Sequence, residues 1–407
     1  MSEGTVRSSE TIARLPIRQL NLILVVLGCF LTYAVLSGLV SQIGTLSALI
    51  AGQFSKPLTH ATAQFSWLST GITLGSLLSL VAFEYLSLKR ALFVCYSIFI
   101  AGLLAIGALN SWTSLSVLFF VIGAAGSLGL NTGAVTLSLS FSGRQQAAAL
   151  LITDIFFAGA GIVVAPVSVS LIESGAPWYV SFWLLAAASA AIPVIASFGR
   201  YPQTARERQE PLRKRIWPLS VYLSALGLAL YLCAQITIMI WLPNFIDTRL
   251  DAGLDVGAMT VSRYWTGMVI GQIILVILLL RCPPRYLLFG ILIISAFVSC
   301  GLWLSDAPPI LALISLGLGL SNAGILKLTI SFASGLVEHP QRVVTFLLFS
   351  SACGQAISPL VSSGLVETFG MRFGLQLASG LYLLTAISLI SALIFAAHGK
   401  RMETHDA

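Results

Sequence analysis

Apolar stretches of about 20 residues recur along the whole chain, and short polar connections separate them. Each stretch is long enough to cross a bilayer as an α-helix. The boundaries of the twelve stretches fall near 20–50, 65–83, 91–110, 114–139, 147–172 and 178–198, then near 217–246, 258–280, 286–304, 309–334, 341–366 and 374–398. The pattern therefore predicts an all-α integral membrane protein with twelve transmembrane helices.

A long hydrophilic stretch inside the chain divides these helices into two sets of six. It reads GRYPQTARERQEPLRKR and carries the charges and prolines of a linker. The sequence thus predicts two six-helix bundles, at 20–198 and 217–398, joined by a cytoplasmic linker at 199–216. Polar tails are predicted at 1–19 and 399–407. No small-residue cleavage site follows a short apolar run, so we expect the first helix to be retained.

Two of the apolar stretches share a residue pattern at a constant separation of 191 positions. The pattern occurs at Gly126, Asn131, Gly133, Leu137, Ser140 and Phe141, and again at Gly317, Asn322, Gly324, Leu328, Ser331 and Phe332. Each stretch is the fourth of its set. The pattern indicates two pseudo-symmetric halves, an arrangement that places the solute site of many carriers near the membrane midplane.

The composition agrees with a membrane protein and argues against several other classes. The chain has 407 residues, of which 57% are hydrophobic and 9% are charged, whereas a soluble domain carries about 25% charged residues. The six cysteines and four histidines are scattered, without the spacing of a disulfide framework or a metal site. We therefore expect no metal, no cofactor and no catalytic residues.

Lysine and arginine concentrate on one predicted side of the membrane, together with both termini and the linker. That side carries Arg7, Arg14, Arg18, Lys89, Arg90, Arg144, Arg200, Arg206, Arg208, Arg213, Lys214, Arg215, Arg281, Arg285, Arg342, Lys400 and Arg401, and the other carries Lys56, Arg249 and Arg372. The positive-inside rule makes the first side cytoplasmic, which predicts a multi-pass protein of the inner membrane. Topology and contacts with anionic membrane lipids then explain the net charge of +7 without nucleic acid.

Three ionisable residues lie well inside apolar stretches: Asp154, Arg263 and Lys327. Each would cost about 3 kcal/mol at a helix centre, so such residues usually face a cavity or a partner. Asp154 and Lys327 are predicted at similar depths in opposite halves. We hypothesise that they form a coupling or gating pair, joined in the outward-open state and separated in the inward-open state. The alternative is that each bonds to polar groups of its own half.

Other polar residues of the apolar stretches are candidates for substrate contact. Arg263 and the adjoining Tyr264 could bind a carboxylate or phosphate. Arg263 could instead extend to the outer headgroups within an aromatic belt, to which Trp265 could belong. The uncharged candidates are Tyr33, Gln42, Asn131, Gln235 and Asn322. For these, the alternative is a hydrogen bond that joins neighbouring helices.

The two sets of six helices, with both termini on one side, resemble the major facilitator superfamily. Its G-x-x-x-D-R-x-G-R-R loop signature is reduced here to Lys89 and Arg90 within FEYLSLKRALF, a form similar to the fucose–proton symporter branch and most of all to its TsgA-like members. The stretches LLITDIFFAGAG, QITIMIWLPNF and SRYWTGMVIGQ carry the same resemblance. It implies a monomer that works by alternating access, with a central cavity lined chiefly by helices 1, 4, 7 and 10.

The resemblance also exposes a departure. Sugar symporters of that branch resemble one another in using one acid on helix 1 and another on helix 4, and the matching positions here are Ser41 and Asn131. Fucose recognition and the usual proton relay are therefore not implied. Proton coupling, if it follows the family, should pass through Asp154.

These features predict a secondary active transporter, and not an enzyme, that moves a small polar or anionic solute such as a sugar, sugar acid or organic acid, with proton coupling. No G-x-x-x-x-G-K-[ST] motif for ATP occurs in the sequence. Two cations against one acid inside the membrane favour an anionic solute over a cationic drug. The alternatives are an efflux antiporter for amphipathic compounds, toward which GAGIVVAP weakly points, a non-transporting membrane sensor, and a membrane-embedded enzyme, which would need a nucleophile–base pair or clustered acids.

Overall fold

The structure, a computed structural model, describes residues 6–109, 111–141, 143–202, 217–337 and 340–403. These residues form α-helices joined by short connections. The helices are α1 (Val6–Ser41), α2 (Ile43–Gln53), α3 (Leu58–Tyr85), α4 (Leu88–Ala108), α5 (Trp112–Ser140), α6 (Gly143–Glu173), α7 (Val180–Phe198), α8 (Leu219–Asn244), α9 (Leu254–Leu279), α10 (Pro284–Leu304), α11 (Pro308–Asn322), α12 (Ile325–Ser334), α13 (Pro340–Phe369) and α14 (Met371–Glu403).

Twelve segments of the described residues are long and apolar enough to cross a membrane, which confirms the predicted fold class. Three of them depart from a simple helix. The first segment is interrupted at Gln42 between α1 and α2, and the tenth at residues 323–324 between α11 and α12. A π-helical turn, Phe245–Arg249, extends α8. Hydropathy averages over such interruptions, so the sequence pattern predicted continuous helices there.

Successive segments run in opposite directions, so their connections lie on two sides. We call the side on which α1 begins and α14 ends the terminal side and the other the distal side. On the terminal side, Lys89 Nζ donates to the carbonyl oxygens of Ser197 (2.8 Å) and Gly199 (3.2 Å) at the end of α7. The backbone nitrogen of Arg200 donates to Asn21 Oδ1 over 2.6 Å. These bonds tie the start of the predicted linker to the first bundle.

Helical structure continues into both predicted polar tails. α1 already begins at Val6, inside the tail predicted at 1–19, and α14 continues to Glu403, beyond the predicted boundary at 398. Hydropathy marks the apolar part of a helix, whereas the backbone hydrogen bonds continue through the polar residues that follow. The remainder of the tails, at 1–5 and 404–407, and the linker residues 203–216 lie outside the described residues.

Equivalent helix pairs in the two halves pack through equivalent glycines. A Cβ at Gly71 of α3 would meet the carbonyl oxygen of Phe120 of α5, and a Cβ at Gly75 would meet that of Ala124. The same holds in the second half, where Gly267 and Gly271 of α9 face the carbonyl oxygens of Leu316 and Leu320 of α11, and each of these four residues stands 196 positions after its counterpart. Because glycine lets the backbones approach this closely, these contacts fix how the two helices of each pair are aligned.

This packing corrects the register of the internal repeat. The echo at 191 positions paired Asn131 with Asn322, but α4 and α10 also begin and end 196 positions apart. In that register Asn131 corresponds to Lys327. The two halves are related as predicted, but the shared residue pattern is displaced by five residues from the structural repeat.

Large apolar side chains are exposed on the outside of the helices, while aliphatic, aromatic and small polar residues are buried in the contacts between them. Phe297, Leu280 and Leu313 are among the exposed ones, whereas Tyr96, Phe119 and other core residues are fully buried. Apolar residues on the outside as well as in the core suit a hydrocarbon surrounding, where the exposed apolar surface meets lipid.

Replacement of Gly319 by alanine tests the glycine contacts. A Cβ there would meet the carbonyl oxygen of Tyr264 on α9, which is backbone and cannot move aside alone. We expect Gly319→Ala to destabilise the second half by about 1–3 kcal/mol, the usual cost of overpacking, and thermal unfolding of the purified protein to show a lower Tm. Gly380→Ala is the matched control, because nothing lies within 4 Å of a Cβ at Gly380. Equal Tm values for the two variants would contradict the packing argument.

Candidate functional site

Two charged residues inside the membrane-spanning segments meet across the two halves. Asp154 lies on α6 and Lys327 on α12, and Lys327 Nζ forms an ion pair with the Asp154 carboxylate. The Asp154 side chain is 21% exposed and the Lys327 side chain 42% exposed. The pair therefore borders accessible space between the halves.

The short helix α12 determines where Lys327 points. Lys327, Ser331 and Ser334 recur at helical spacing and are not buried, whereas Leu328 and Ala333 on the other side of α12 are buried. Lys327 also lies in the first turn of α12, where the helix dipole disfavours a cation. The carboxylate of Asp154 offsets that cost, because it supplies the counter-charge that the apolar surroundings lack.

α6 presents one stripe of residues to the second half. Asp154, Phe157 and Gly161 recur at helical spacing, and Trp265 of α9 covers the last two of them. The rings of Phe157 and Trp265 lie 5.6 Å apart, and a Cβ at Gly161 would meet the indole ring. Trp265 is 3% exposed and therefore belongs to the interface between the halves, not to a lipid-facing belt. The sequence did not predict this role, because a tryptophan among apolar residues has the same sequence pattern whether it faces lipid or another helix.

On the distal side, the halves touch through backbone atoms and polar side chains. Asn244 Nδ2 at the end of α8 donates to the carbonyl oxygen of Gly44 on α2 over 2.9 Å and lies 2.8 Å from Ser47 Oγ. A Cβ at Gly44 would meet the carbonyl oxygens of Met239 and Ile240. The hydroxyls of Thr62 on α3 and Ser363 on α13 lie 2.6 Å apart across the same interface. The distal ends of the two halves are therefore closed against each other.

This closure bears on the gating hypothesis. We hypothesised that the pair of Asp154 and Lys327 is joined in the outward-open state and separated in the inward-open state. With the predicted orientation the distal side is the outer side, yet the ion pair is present while the distal ends are closed. The structure therefore combines a joined ion pair with closed distal ends, and the behaviour of the pair in the two open states stays a prediction.

A buried polar cluster joins four segments of the second half. Tyr264 Oη accepts hydrogen bonds from Gln235 Nε2 (2.8 Å) and Asn322 Nδ2 (3.1 Å). Asn322 Nδ2 also lies 2.5 Å from Tyr382 Oη, and Tyr231 Oη donates to the Asn322 carbonyl oxygen over 3.3 Å. The structure thus brings together three of the predicted site residues, Gln235, Tyr264 and Asn322. All five are buried, and Gln235 is the most exposed of them at 8%, so the contacts seen are bonds between helices.

The predicted residues of the first half are distributed over three helix contacts. Gln42, at the interruption of the first segment, accepts a hydrogen bond from Ser168 Oγ of α6 over 3.0 Å. Asn131 Nδ2 donates to Ser79 Oγ over 3.1 Å and remains partly accessible. Tyr33 lies beside Thr153, the neighbour of Asp154.

The structure does not bring Arg263 to these residues. Its side chain is exposed on the same face of α9 as Met259 and Ile270, which are both exposed apolar residues. Tyr264 and Trp265, by contrast, point into the bundle and toward α6. This placement favours the alternative in which Arg263 extends along the surface toward the headgroups.

The chemistry that the arrangement offers is one cation, one carboxylate and nearby amides and hydroxyls. Within the part of the chain that the structure describes, no three or more His, Cys, Asp or Glu side chains are grouped in a way that could hold a metal ion. The ionic groups of the site are an ammonium that can pair with an anion and a carboxylate that can accept a proton.

Comparison with known proteins agrees with this architecture. The curated "Protein TsgA homolog" of Edwardsiella ictaluri is 24% identical over 365 residues, which cover 89% of this chain and 93% of the relative. The homologue of Yersinia pestis is 25% identical over 378 residues, or 91% of this chain and 95% of the relative. Both relatives therefore match nearly end to end.

Solved structures show the same fold. The nucleoside transporter NupG aligns with a TM-score of 0.70 at 14% identity, covering 91% of this chain and 98% of NupG. A bacterial homologue of the lysosomal transporter Spinster, in an inward-facing and unoccupied conformation, aligns with a TM-score of 0.67 at 13% identity, covering 95% and 97%. The family model described as "Uncharacterised MFS-type transporter YbfB" matches residues 47–396. The chain therefore belongs to the major facilitator superfamily of transporters.

Proposed function

We propose that the protein is a secondary active transporter that moves a small polar or anionic solute, such as a sugar acid or organic acid, across the inner membrane by alternating access with proton coupling. The observation that carries the proposal is the ion pair of Asp154 and Lys327, which joins the two halves and remains partly exposed. Ionisable residues in such positions usually mark a solute or proton pathway.

Lys327 is the binding group in this proposal. It projects from the first turn of α12, next to the interruption at residues 323–324, and interrupted helices form the solute sites of many carriers. Asn131, its counterpart in the structural repeat, is partly accessible in the other half, where its Nδ2 donates to Ser79 Oγ. A solute carboxylate or phosphate would take the place of Asp154 as the partner of Lys327.

Asp154 is the proton-coupling group. Once a solute anion binds Lys327, the Asp154 carboxylate loses its counter-charge in a largely apolar surrounding. An unpaired carboxylate is costly there, so binding of a proton is the favourable outcome. Anion and proton then move together, and the ion pair forms again after both have left.

The orientation follows from the loops. Lys89 and the other basic residues on the terminal side support a cytoplasmic location for that side. The distal contacts of Gly44 and Asn244 then close the outside, and the solute site communicates with the cytoplasm. Import and export both remain compatible with this arrangement, because an alternating-access cycle can run either way.

Thermal unfolding of the purified protein with a panel of solutes tests the proposal. The panel contains sugars, sugar acids, carboxylates, phosphates and cationic amphiphiles. A solute that binds the native state at a hundredfold excess over Kd stabilises it by about 2.7 kcal/mol. We expect an increase in Tm with anionic or polar metabolites, lost in Lys327→Met and kept in Arg263→Ala, because Arg263 lies on the outer surface.

The ligands that raise Tm separate the alternatives. Stabilisation by several cationic amphiphiles and by no metabolite would overturn the proposal and favour the efflux antiporter. If an anion still raises the Tm of Lys327→Met, the protein would remain a candidate anion carrier, but Lys327 would not be part of its solute site. Uptake of the stabilising solute into proteoliposomes, with and without an inward proton gradient, then measures the coupling directly.

A further inference from the structure

Gln272 of α9 carries a polar atom inside the membrane that the contacts described so far do not use. Its side chain is only partly accessible, and its Oε1 is buried without a hydrogen-bond partner among the described residues. Buried carboxamides are nearly always hydrogen-bonded, so an unpartnered one needs an explanation. In the apolar part of a transporter, the explanation can be a ligand.

Gln272 lies within about one helical turn of the depth of the ion pair. It follows Trp265 by seven residues, which is two helical turns, so both residues lie on the same face of α9. Trp265 packs on Gly161 of α6, and Asp154 precedes Gly161 by seven residues. The helices α6 and α9 run in opposite directions. Two turns from this contact toward the terminal side, α9 therefore carries Gln272 and α6 carries Asp154.

The neighbouring helix gives a second measure of the same position. Gly271, adjacent to Gln272, packs against Leu320 and Ala323 of the tenth segment. Lys327 follows Ala323 by four residues, or about one turn. Gln272 therefore stands beside the site from the α9 side, one turn from the level of Lys327.

We infer that Gln272 binds a hydroxyl group of the transported solute and that the solute is a hydroxylated organic anion, of the hydroxy-acid or sugar-acid class. This inference rests on the proposed function, since Lys327 would hold the anionic group. A hydroxyl suits the carboxamide in either orientation of its amide, because a hydroxyl both donates and accepts. A purely apolar tail would leave the carboxamide unpaired, and sites built to bind a hydroxyl discriminate strongly against analogues that lack it.

The test compares solute pairs that differ by hydroxyl groups. Uptake into proteoliposomes is measured for lactate against propionate, and for gluconate against hexanoate. We expect the wild-type protein to prefer the hydroxylated member of at least one pair by about tenfold or more in kcat/KM. Gln272→Leu should reduce that preference to about twofold or less, chiefly by loss of uptake of the hydroxylated solute, while uptake of the other member stays the same.

Gln376→Leu is the matched control. Gln376 undergoes the same chemical change but is exposed on α14, at a groove between α10 and α14 on the outside of the bundle. It should keep the wild-type preference. Thermal unfolding of each variant identifies a folding defect. If Gln272→Leu is poorly folded, Gln272→Asn takes its place. That variant shortens the side chain but keeps the amide, so it should retain part of the hydroxyl preference.

Two results would overturn the inference, and only the second would also overturn the proposed function. Uptake of anions with an unchanged hydroxyl preference in Gln272→Leu would leave the proposed function intact and return Gln272 to a role in helix packing. Absence of uptake of every anion by a stable wild-type protein would remove the proposed function, and the inference with it.

Discussion

Removal of the Lys327 charge alone is expected to destabilise the protein more than removal of both charges of the pair. In Lys327→Met the Asp154 carboxylate, 21% exposed, would lose its counter-charge inside the membrane-spanning region. Leaving one partner of such a pair unpaired costs about 2 kcal/mol or more. The double variant Asp154→Asn with Lys327→Met removes both charges, so its Tm should lie close to that of the wild-type protein.

Transport should respond differently from stability. Lys327→Met and the double variant should both lose uptake of anions by about a hundredfold or more, because each lacks the cation that binds the solute. Asp154→Asn keeps Lys327 and should bind the solute but no longer accumulate it against its gradient, since no proton site remains. Tm values from thermal unfolding and initial rates in proteoliposomes measure the two effects separately.

A second ion pair provides the control for the first. Arg372 and Asp306 form an ion pair at the distal helix ends, where both side chains are about half exposed. Exposed pairs contribute about 0–1 kcal/mol, so Arg372→Met should change neither Tm nor uptake by much. If the effects of Asp154→Asn and Lys327→Met on Tm were additive, the two residues would not be coupled and the proposed exchange of partners would fail.

The sequence predicted the features that depend on local composition. The spans follow from runs of apolar residues, since any backbone that crosses a bilayer must satisfy its own hydrogen bonds as a helix. Asp154 and Lys327 stood out for the same reason, because a charge in such a run is costly wherever it points. The structure places them in contact, while their roles in coupling and gating stay predictions.

The features that the sequence did not predict depend on how helices face one another. A shared pattern aligned Asn131 with Asn322, but the backbone contacts of Gly71 and Gly267 show that the structural register pairs Asn131 with Lys327. Hydropathy likewise did not predict which side of the helix Arg263 and Trp265 occupy. The two residues are only two positions apart, yet Arg263 is exposed on the outside and Trp265 is buried. Which side of a helix faces a neighbour is settled by tertiary packing, and a single sequence carries little record of it.

Replacement of Gly44 by alanine is expected to hold the distal side open. The added Cβ would meet the carbonyl oxygens of Met239 and Ile240 and the ring of Pro243, and the backbone atoms among these cannot give way without separating α2 from α8. At a cost of about 2 kcal/mol for overpacking, the closed arrangement would lose population by about 30-fold relative to the open one. Because a transport cycle visits both arrangements, the uptake rate should fall at least about tenfold.

Gly52→Ala gives the matched control and the distance between helix ends gives the direct readout. Gly52 lies on the same helix α2, and nothing stands within 4 Å of a Cβ there. Spin labels at positions 53 and 249, in a variant without the six native cysteines, report the separation of the distal ends of α2 and α8. Gly44→Ala should shift their distance distribution to longer values and Gly52→Ala should not. An unchanged distribution together with a wild-type uptake rate would mean that the contact of Gly44 with α8 is not the one that closes the distal side.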